Sequence, residues 1–281
     1  MESQTNHLAG KVVVITGAGS GFGRLVAERA CGLGAKVVGA DVNTEQLAEV
    51  FDGLQADGHD AAHLATDVTD VAQMQALAAF AVDTFGAIDV MVNNAGVMPL
   101  AFYADHAQAL QAWHTAIDVN VKGVLNGIAA VYDQMIAQGR GHVVNISSIY
   151  SNFATAGAGV YTATKSAVNA LSESLRVESQ GKIKVSVVRP TGVPKTGLGA
   201  SVVNPAAVVG ILGQRAATAM DTMMRYLMGE LPAELTDVDS PQLWSLEPEH
   251  LADSIIYVMN QPWGVSISDI TIRATGEEYI L

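Results

Sequence analysis

The sequence is poor in the features that mark several large classes of protein. It has a single cysteine, Cys31, in 281 residues, so no internal disulfide is available. In "ERACGLGA" that cysteine reads as a small core side chain. Lys and Arg number 15 against 28 Asp and Glu, a net charge of −13, which argues against a nucleic-acid partner because phosphate binding needs clustered cations. No run of one charge forms a tail, so the acidity reads as a solvated surface. No apolar run reaches the ~18 residues of a membrane span. The polar opening "MESQTNH" lacks the basic-then-apolar form of a secretion signal. Together these absences lead us to expect a cytoplasmic protein with no membrane partner. The seven histidines show neither H-E-x-x-H nor another paired spacing, so no metal site is expected. His106, His114 and His142 read as solvated or structural.

What is present is a rhythm. Hydrophobic residues make up 49% of the chain and glycine contributes 27 positions, enough for a sizeable core. Short β-rich runs, "KVVVIT" (11–16), "KVVGAD" (36–41), "AAHLATD" (61–67), "IDVMVN" (88–93), "HVVNIS" (142–147), "KVSVVR" (184–189) and "DITIR" (269–273), alternate with helix-length segments. Those segments are 21–33, 43–57, 70–85, 105–138, 161–180 and 248–260. In 70–85, Val71, Met74, Leu77, Ala78, Ala81 and Phe85 share one helical stripe. Continuous Val/Ile runs imply strands covered on both faces. The expected fold is α/β, a Rossmann-like doubly wound, mostly parallel seven-stranded sheet with helices on both faces, in a single domain over 1–281. Residues 191–247 break the rhythm. They hold Pro194, Pro205, Pro232 and Pro241, with Pro248 just beyond, and follow a strand's C-terminal end, where such folds place substrate elements. A helical hairpin serving as core or subunit interface is the plainer reading.

"VVVITGAGSGFGRLVAERA" is a strand, a glycine turn and a helix. Gly17, Gly21 and Gly23 allow a tight turn, close approach of backbone N–H groups to a pyrophosphate, and close helix–strand packing. The helix presents its positive end to the phosphates. The next strand ends in Asp41, 18 residues after Gly23. A carboxylate there accepts from both ribose hydroxyls of an adenosine and repels a 2′-phosphate; "DVNTEQ" adds no cation, so NAD is favoured over NADP. The alternative for Asp41 is a helix N-cap, which Asn43 or Thr44 can supply instead.

With "TGAGSGFG" in place, the chain resembles the short-chain dehydrogenase/reductase family, in its single-domain NAD-dependent subgroup. Thr16 to Gly23 match the family's T-G-x-x-x-G-x-G in full. "NNAG" (93–96), "DVNVKG" (118–123), "NISS" (145–148) and Y-x-x-x-K at Tyr161 and Lys165 follow in order, with Ser148 13 residues before Tyr161. The similarity covers about 8–190 and resumes at 245–275. It implies a catalytic set of Asn120, Ser148, Tyr161 and Lys165. It also implies a cofactor site of Gly17, Ser20, Gly21, Phe22 and Gly23, then Asp41, Asp67 and Val68, then Asn94, Ala95 and Gly96. Tyr161, Lys165, Pro190, Thr191, Val193 and Thr196 complete that site. Asn93 is expected to brace adjacent strands; Asp67 either turns the chain or meets adenine. Thr191 stands where the family usually has glycine, which leaves the backbone near Val193 open. Residues 197–245 match no family pattern.

Residues i and i+4 share a helix face, so Tyr161 and Lys165 can both face a cleft. An ordinary tyrosine, with a pKa of about 10, is a poor base near neutrality, and a nearby ammonium is expected to lower that value. Tyr161 then takes the alcohol proton as hydride leaves, or returns it in reverse. The resemblance implies that Lys165 bonds the nicotinamide ribose, that Ser148 bonds the substrate oxygen, and that Asn120 holds a relay water. The plainer readings are a turn serine and a packed asparagine. "MDTMMRYLMGELP" supplies Met220, Met223, Met224, Leu227 and Met228; with Tyr150 and Trp244 these suggest a pocket for a hydrophobic or aromatic secondary alcohol or its ketone. The same methionine stripe suits core or a subunit contact. A homodimer or homotetramer is expected through 105–138 and 161–180. An NADH-dependent ketone reductase and an inactive cofactor-binding regulator are the competing functions.

Overall fold

The computed structural model describes residues 5–194 and 196–280; part of the polar opening lies outside them. Seven parallel strands form one sheet in the order β3-β2-β1-β4-β5-β6-β7. They are β1 (Val12–Thr16), β2 (Lys36–Asp41), β3 (Ala61–Ala65), β4 (Val90–Asn93), β5 (Gly141–Ile146), β6 (Ile183–Pro190) and β7 (Asp269–Ile272). The helices are α1 (Gly21–Gly32), α2 (Thr44–Ala56), α3 (Val71–Phe85), α4 (His106–Ile117), α5 (Gly123–Gln138) and α6 (Gly159–Glu178), followed by the short α7 (Val209–Leu212), then α8 (Ala216–Met228), the short α9 (Ala233–Thr236) and α10 (Pro248–Met259).

The valine runs explain the two covered faces. Along β1, Val13 and Ile15 join a core with Val26, Ala27 and Ala30 of α1 and Leu251 and Ile255 of α10. Val14, one residue out of step, joins the opposite core with Leu77 of α3 and Val131 and Met135 of α5. Period-two alternation therefore feeds two apolar layers from one continuous run. Asn43 caps α2, accepting from Gln46 N at 3.1 Å, and Asp70 caps α3, accepting from Ala72 N at 2.8 Å. The cap alternative for Asp41 thus falls to Asn43.

The chain winds outward from β1 through β2 to β3, then returns to place β4 on the other flank of β1. Connections leave β1 and β4 in opposite directions, which opens a crevice at their C-terminal ends. Every strand points the same way, so the loops after β1, β2, β4, β5 and β6 all gather on that edge.

Two departures from the expected elements bear on the site. The segment 105–138 is α4 and α5 joined by a π-helical turn, Asp118–Lys122, in which Asn120 is buried. Such wide turns re-aim side chains within a helix. The segment 191–247 is no simple hairpin: short 3-10 turns at Gly197–Ser201, Pro205–Val208 and Gly213–Arg215 surround α7, and α8 is its one long helix.

Asn93 braces strands as expected. Its amide donates to Asn145 Oδ1 at 2.8 Å, and Asn145 donates to Ser172 Oγ of α6 at 2.8 Å. The layer above has no room to spare, since a Cβ at Gly127 would stand 2.0 Å from Asn93 Oδ1. Gly127→Ala is expected to cost about 1–3 kcal/mol, seen as a fall in Tm of about 2–4 °C per kcal/mol in thermal unfolding. An unchanged Tm would mean that α5 shifts freely over Asn93.

Candidate active site

The glycine loop closes on itself. Gly17 and Gly21 hold positive φ, 65° and 52°, a conformation that side chains disfavour. A Cβ at Gly23 would lie 2.1 Å from the Gly17 carbonyl oxygen, so only glycine lets α1 begin this close to β1. Ser20, the α1 N-cap, makes no side-chain cap, which leaves the first-turn N–H groups to a ligand or solvent. The Thr16 hydroxyl accepts from Asn94 N at 3.1 Å and Ala95 N at 3.2 Å. In return the Asn94 amide donates to Thr16 O at 2.9 Å and Gly17 O at 3.1 Å. The loops after β1 and β4 are thereby one unit.

Asp41 is aimed by backbone. Its Oδ2 accepts from Gly19 N at 3.0 Å and its Oδ1 from Asn43 N at 2.9 Å. Asp67 is a turn residue, accepting from Thr69 N at 2.9 Å and Thr69 Oγ1 at 2.8 Å, and it also lines the crevice beside Val68.

At the other end β5 delivers Ser148 and the first two turns of α6 deliver Tyr161 and Lys165. All three are buried, with Tyr161 3% and Lys165 5% exposed. Lys165 Nζ donates to the Ile146 carbonyl at 2.8 Å and stands 5.9 Å from the Tyr161 ring centre. Burial pushes the Tyr161 hydroxyl up to about 12, with the neighbouring Ser148 hydroxyl pulling the other way. Burial pulls the Lys165 ammonium down to about 8. The expected lowering of Tyr161 by Lys165 is therefore not what this geometry produces: removal of the phenol from water dominates, and the ammonium is directed to the Ile146 carbonyl rather than to the Tyr161 hydroxyl.

Asn120 stands behind these groups. Its Oδ1 accepts from Val97 N at 2.9 Å, and its amide donates to Val97 O at 2.8 Å and Thr164 Oγ1 at 3.1 Å. Both amide donors are taken, so it fastens the "NNAG" loop to α6. His142 is buried, with Nε2 2.8 Å from Ser186 Oγ. Burial holds it well below the ordinary histidine range, with Lys184 and Lys11 adding to the effect. Among the described residues no cluster of His, Cys, Asp and Glu is arranged to hold a metal.

One cavity of about 620 Å³ joins the glycine loop to Tyr161, within the usual range for a small-molecule site. It is lined by Gly17, Ser20, Gly21, Phe22, Asp41 and Asp67 at one end. Val68, Asn94, Ala95 and Gly96 continue the wall, and Ser148, Tyr161 and Lys165 stand beyond them. Pro190, Thr191, Val193 and Thr196 close one side, with Tyr150, Met223 and Leu227 at the far end.

Gly23 and Asn120 lie behind the wall, where close packing places them. Three expected pocket residues are elsewhere. Met224 and Met228 are 50% and 62% exposed and lie with Met220 on one stripe of α8, whereas Met223 and Leu227 share the neighbouring stripe and line the cavity, Leu227 at its open rim, 59% exposed. Trp244 packs on Tyr226, ring centres 5.7 Å apart, and donates to Glu278 at 3.3 Å. Ile211, Val202 and Tyr279 line the cavity unannounced. Ile211 and Val202 lay in the segment that matched no pattern, and Tyr279 arrives from the far end of the chain.

A doubly wound parallel sheet with a glycine cradle at its switch point defines the class, a dinucleotide-binding α/β protein. A family model described as short chain dehydrogenase matches residues 11–206, and the chain belongs to the short-chain dehydrogenase/reductase family. It is an oxidoreductase of that type, with a nicotinamide dinucleotide, NAD or NADP, as the family's cofactor. An uncharacterized oxidoreductase of Staphylococcus saprophyticus is 34% identical, over 97% of this chain and 99% of its own. A glycine betaine reductase of Emericella nidulans is 34% identical over 96% of this chain, which spans 19% of that protein's length. Among solved structures, a short chain dehydrogenase/reductase from Burkholderia phymatum in complex with NAD is 32% identical, TM-score 0.73, over 95% of this chain and 90% of its own. A gluconate 5-dehydrogenase from Burkholderia cenocepacia in complex with NADP and tartrate is 26% identical, TM-score 0.75, over 95% of each chain.

The Lys165 shift predicts a pH signature. Its folded value, about 8, lies below the ordinary 10.5, so between these values the unfolded chain binds the extra proton and stability rises with pH. Lys165→Met removes that slope. Its stability relative to the parent is expected to be highest below pH 8 and to decline toward pH 10.5, measured by urea unfolding across that range. A difference independent of pH would show that Lys165 is not desolvated in the fold.

Proposed function

We propose that the protein is an NAD-dependent dehydrogenase of hydrophobic or aromatic secondary alcohols, interconverting each with its ketone. The observation that carries this reading is one continuous cavity running from Asp41, past the glycine loop, to Tyr161, Ser148 and Lys165. The residues fit a dinucleotide: the missing Cβ atoms at Gly17 and Gly23 leave the loop closed and tight, and the Asp41 carboxylate is presented at the cavity's end. That carboxylate suits a ribose diol and repels a 2′-phosphate, which supports NAD. Gly17, Ser20, Gly21, Phe22 and Asp41 would hold the adenosine and phosphates, with Asp67 and Val68 at the base. Asn94 to Gly96, Pro190, Thr191, Val193 and Thr196 would flank the nicotinamide end.

When bound, NAD supplies the acceptor for the hydride from the carbinol carbon. Ser148 donates to the substrate oxygen and stabilises charge as it develops. The Tyr161 hydroxyl exchanges the proton with that oxygen. Lys165 supplies positive charge beside the ribose and biases Tyr161 toward its charged form once both groups share a substrate-filled site. Asn120 positions these groups by tying Val97 to α6. A phenol held near 12 is protonated at neutral pH. That favours donation to a developing alkoxide, and so supports a second reading in which the enzyme works mainly as an NADH-dependent ketone reductase.

The test is absorbance of the reduced nicotinamide with a panel of alcohols and ketones, using NAD and NADP in turn. Turnover of bulky apolar members with NAD is expected, and Tyr161→Phe should lose about 10²–10⁴-fold in kcat. Full turnover by that variant would refute the proton-transfer role; preference for small polyols would refute the substrate class.

The exposed apolar side chains of Leu110 and Ile117 on α4 and Leu125 on α5 support assembly through these helices, as a homodimer or homotetramer. No described helix is long and apolar enough to cross a membrane. Light scattering coupled to size-exclusion chromatography is expected to give a multiple of the chain mass, and a monomer would contradict the assembly.

A further inference from the structure

The last residues of the chain return to the cavity. Arg273 pairs with Glu277, Gly276 N donates to Leu243 O at 2.8 Å, and Ile280 N donates to Ile211 O at 3.0 Å. Trp244 holds Glu278. Between these anchors the hydroxyl end of the Tyr279 ring meets the loop just after β6: a Cβ at Gly192 would stand 1.8 Å from its hydroxyl oxygen. Glycine at 192 is therefore what admits the ring. Tyr279 then packs in the same apolar cluster as Tyr150, Tyr161, Leu100 and Ile211, and it lines the cavity beside them.

Most of that end of the cavity is aliphatic, from Leu100, Ile211, Met223 and Leu227. Among the described residues none hydrogen-bonds the Tyr279 hydroxyl. Burial pushes it up to about 12, with the Glu277 and Glu278 carboxylates adding to the effect, so at working pH it is a neutral phenol with a proton to donate. Tyr279 is part-buried and lines the cavity, so a hydroxyl without a protein acceptor there is open to a ligand oxygen.

We infer that Tyr279 is a specificity-determining residue that donates a hydrogen bond to a second, uncharged oxygen of the substrate, away from the reacting carbon. The substrate class is then a bulky, mainly apolar secondary alcohol or ketone that also carries a carbonyl, ether or hydroxyl oxygen. This rests on the dehydrogenase reading above. A site built to bond an oxygen discriminates against the analogue lacking it more sharply than an apolar wall discriminates by size.

The experiment compares Tyr279→Phe with the parent on aryl alkyl ketones, each plain or carrying a methoxy or carbonyl oxygen at successive positions. The parent is expected to prefer at least one oxygenated member over its plain partner in kcat/KM. Tyr279→Phe, which keeps the ring against Gly192, is expected to cut that preference about three- to tenfold, mainly through KM. A preference unchanged in Tyr279→Phe, or an equal loss for oxygenated and plain ketones, would make Tyr279 a structural brace and overturn the inference. Turnover by the parent with no oxygenated member preferred overturns the inference alone. No turnover of any ketone or alcohol with NAD(H) overturns the dehydrogenase reading and the inference with it.

Discussion

The contact between Gly23 and the Gly17 carbonyl governs the rest of the site. With no Cβ at Gly23, α1 starts against the end of β1, and its open N–H groups come to the crevice where β1 and β4 part. Thr16 and Asn94 then bind the two strand ends to each other through four short hydrogen bonds, so the loop is held from both sides before any ligand arrives. Such a cradle costs little reorganisation on binding, since the backbone dipoles already point where charge will sit. Asp41, aimed by Gly19 and Asn43, extends the same unit to the neighbouring strand.

At the opposite end of the cavity the dominant force is desolvation. Tyr161 and Lys165 are both drawn toward their neutral forms, one upward and one downward, because neither finds a counter-charge. Their spacing along α6 brings them onto one face, yet spacing alone does not bring an ammonium to a phenol: Lys165 turns to the Ile146 carbonyl. At neutral pH Tyr161 therefore stays a phenol while Lys165, at about 8, still carries most of its charge. Asn120 contributes by geometry, its amide wholly committed to Val97 and Thr164 and its position set by the π-helical turn between α4 and α5.

Much of this was legible in the chain itself. Val13, Val14 and Ile15 announce a strand covered on both faces, and Val71 to Phe85 announce a helix with one apolar stripe, because both signals are local periodicities. The glycine loop and Ser148, Tyr161 and Lys165 were legible for a similar reason: turn chemistry and helical spacing reach only a few residues. The methionine-rich helix was half legible. Its apolar content is visible in sequence, but which of Met220, Met223, Met224, Leu227 and Met228 faces inward depends on how α8 is seated on the loops around it. Trp244 is drawn away by Tyr226 and Glu278, partners that no local pattern names.

The sequence by itself determined the parallel sheet, its two helical layers and the glycine loop at the end of β1, since each is written in contiguous residues whose backbone preferences agree. Only the tertiary structure decided how those groups are charged and what walls the far end of the cavity. Ionisation depends on how much water the fold removes, which is a property of the whole packed interior. The meeting of Tyr279 with Gly192 depends on the chain end folding back over β6, a contact between distant segments that no periodicity encodes.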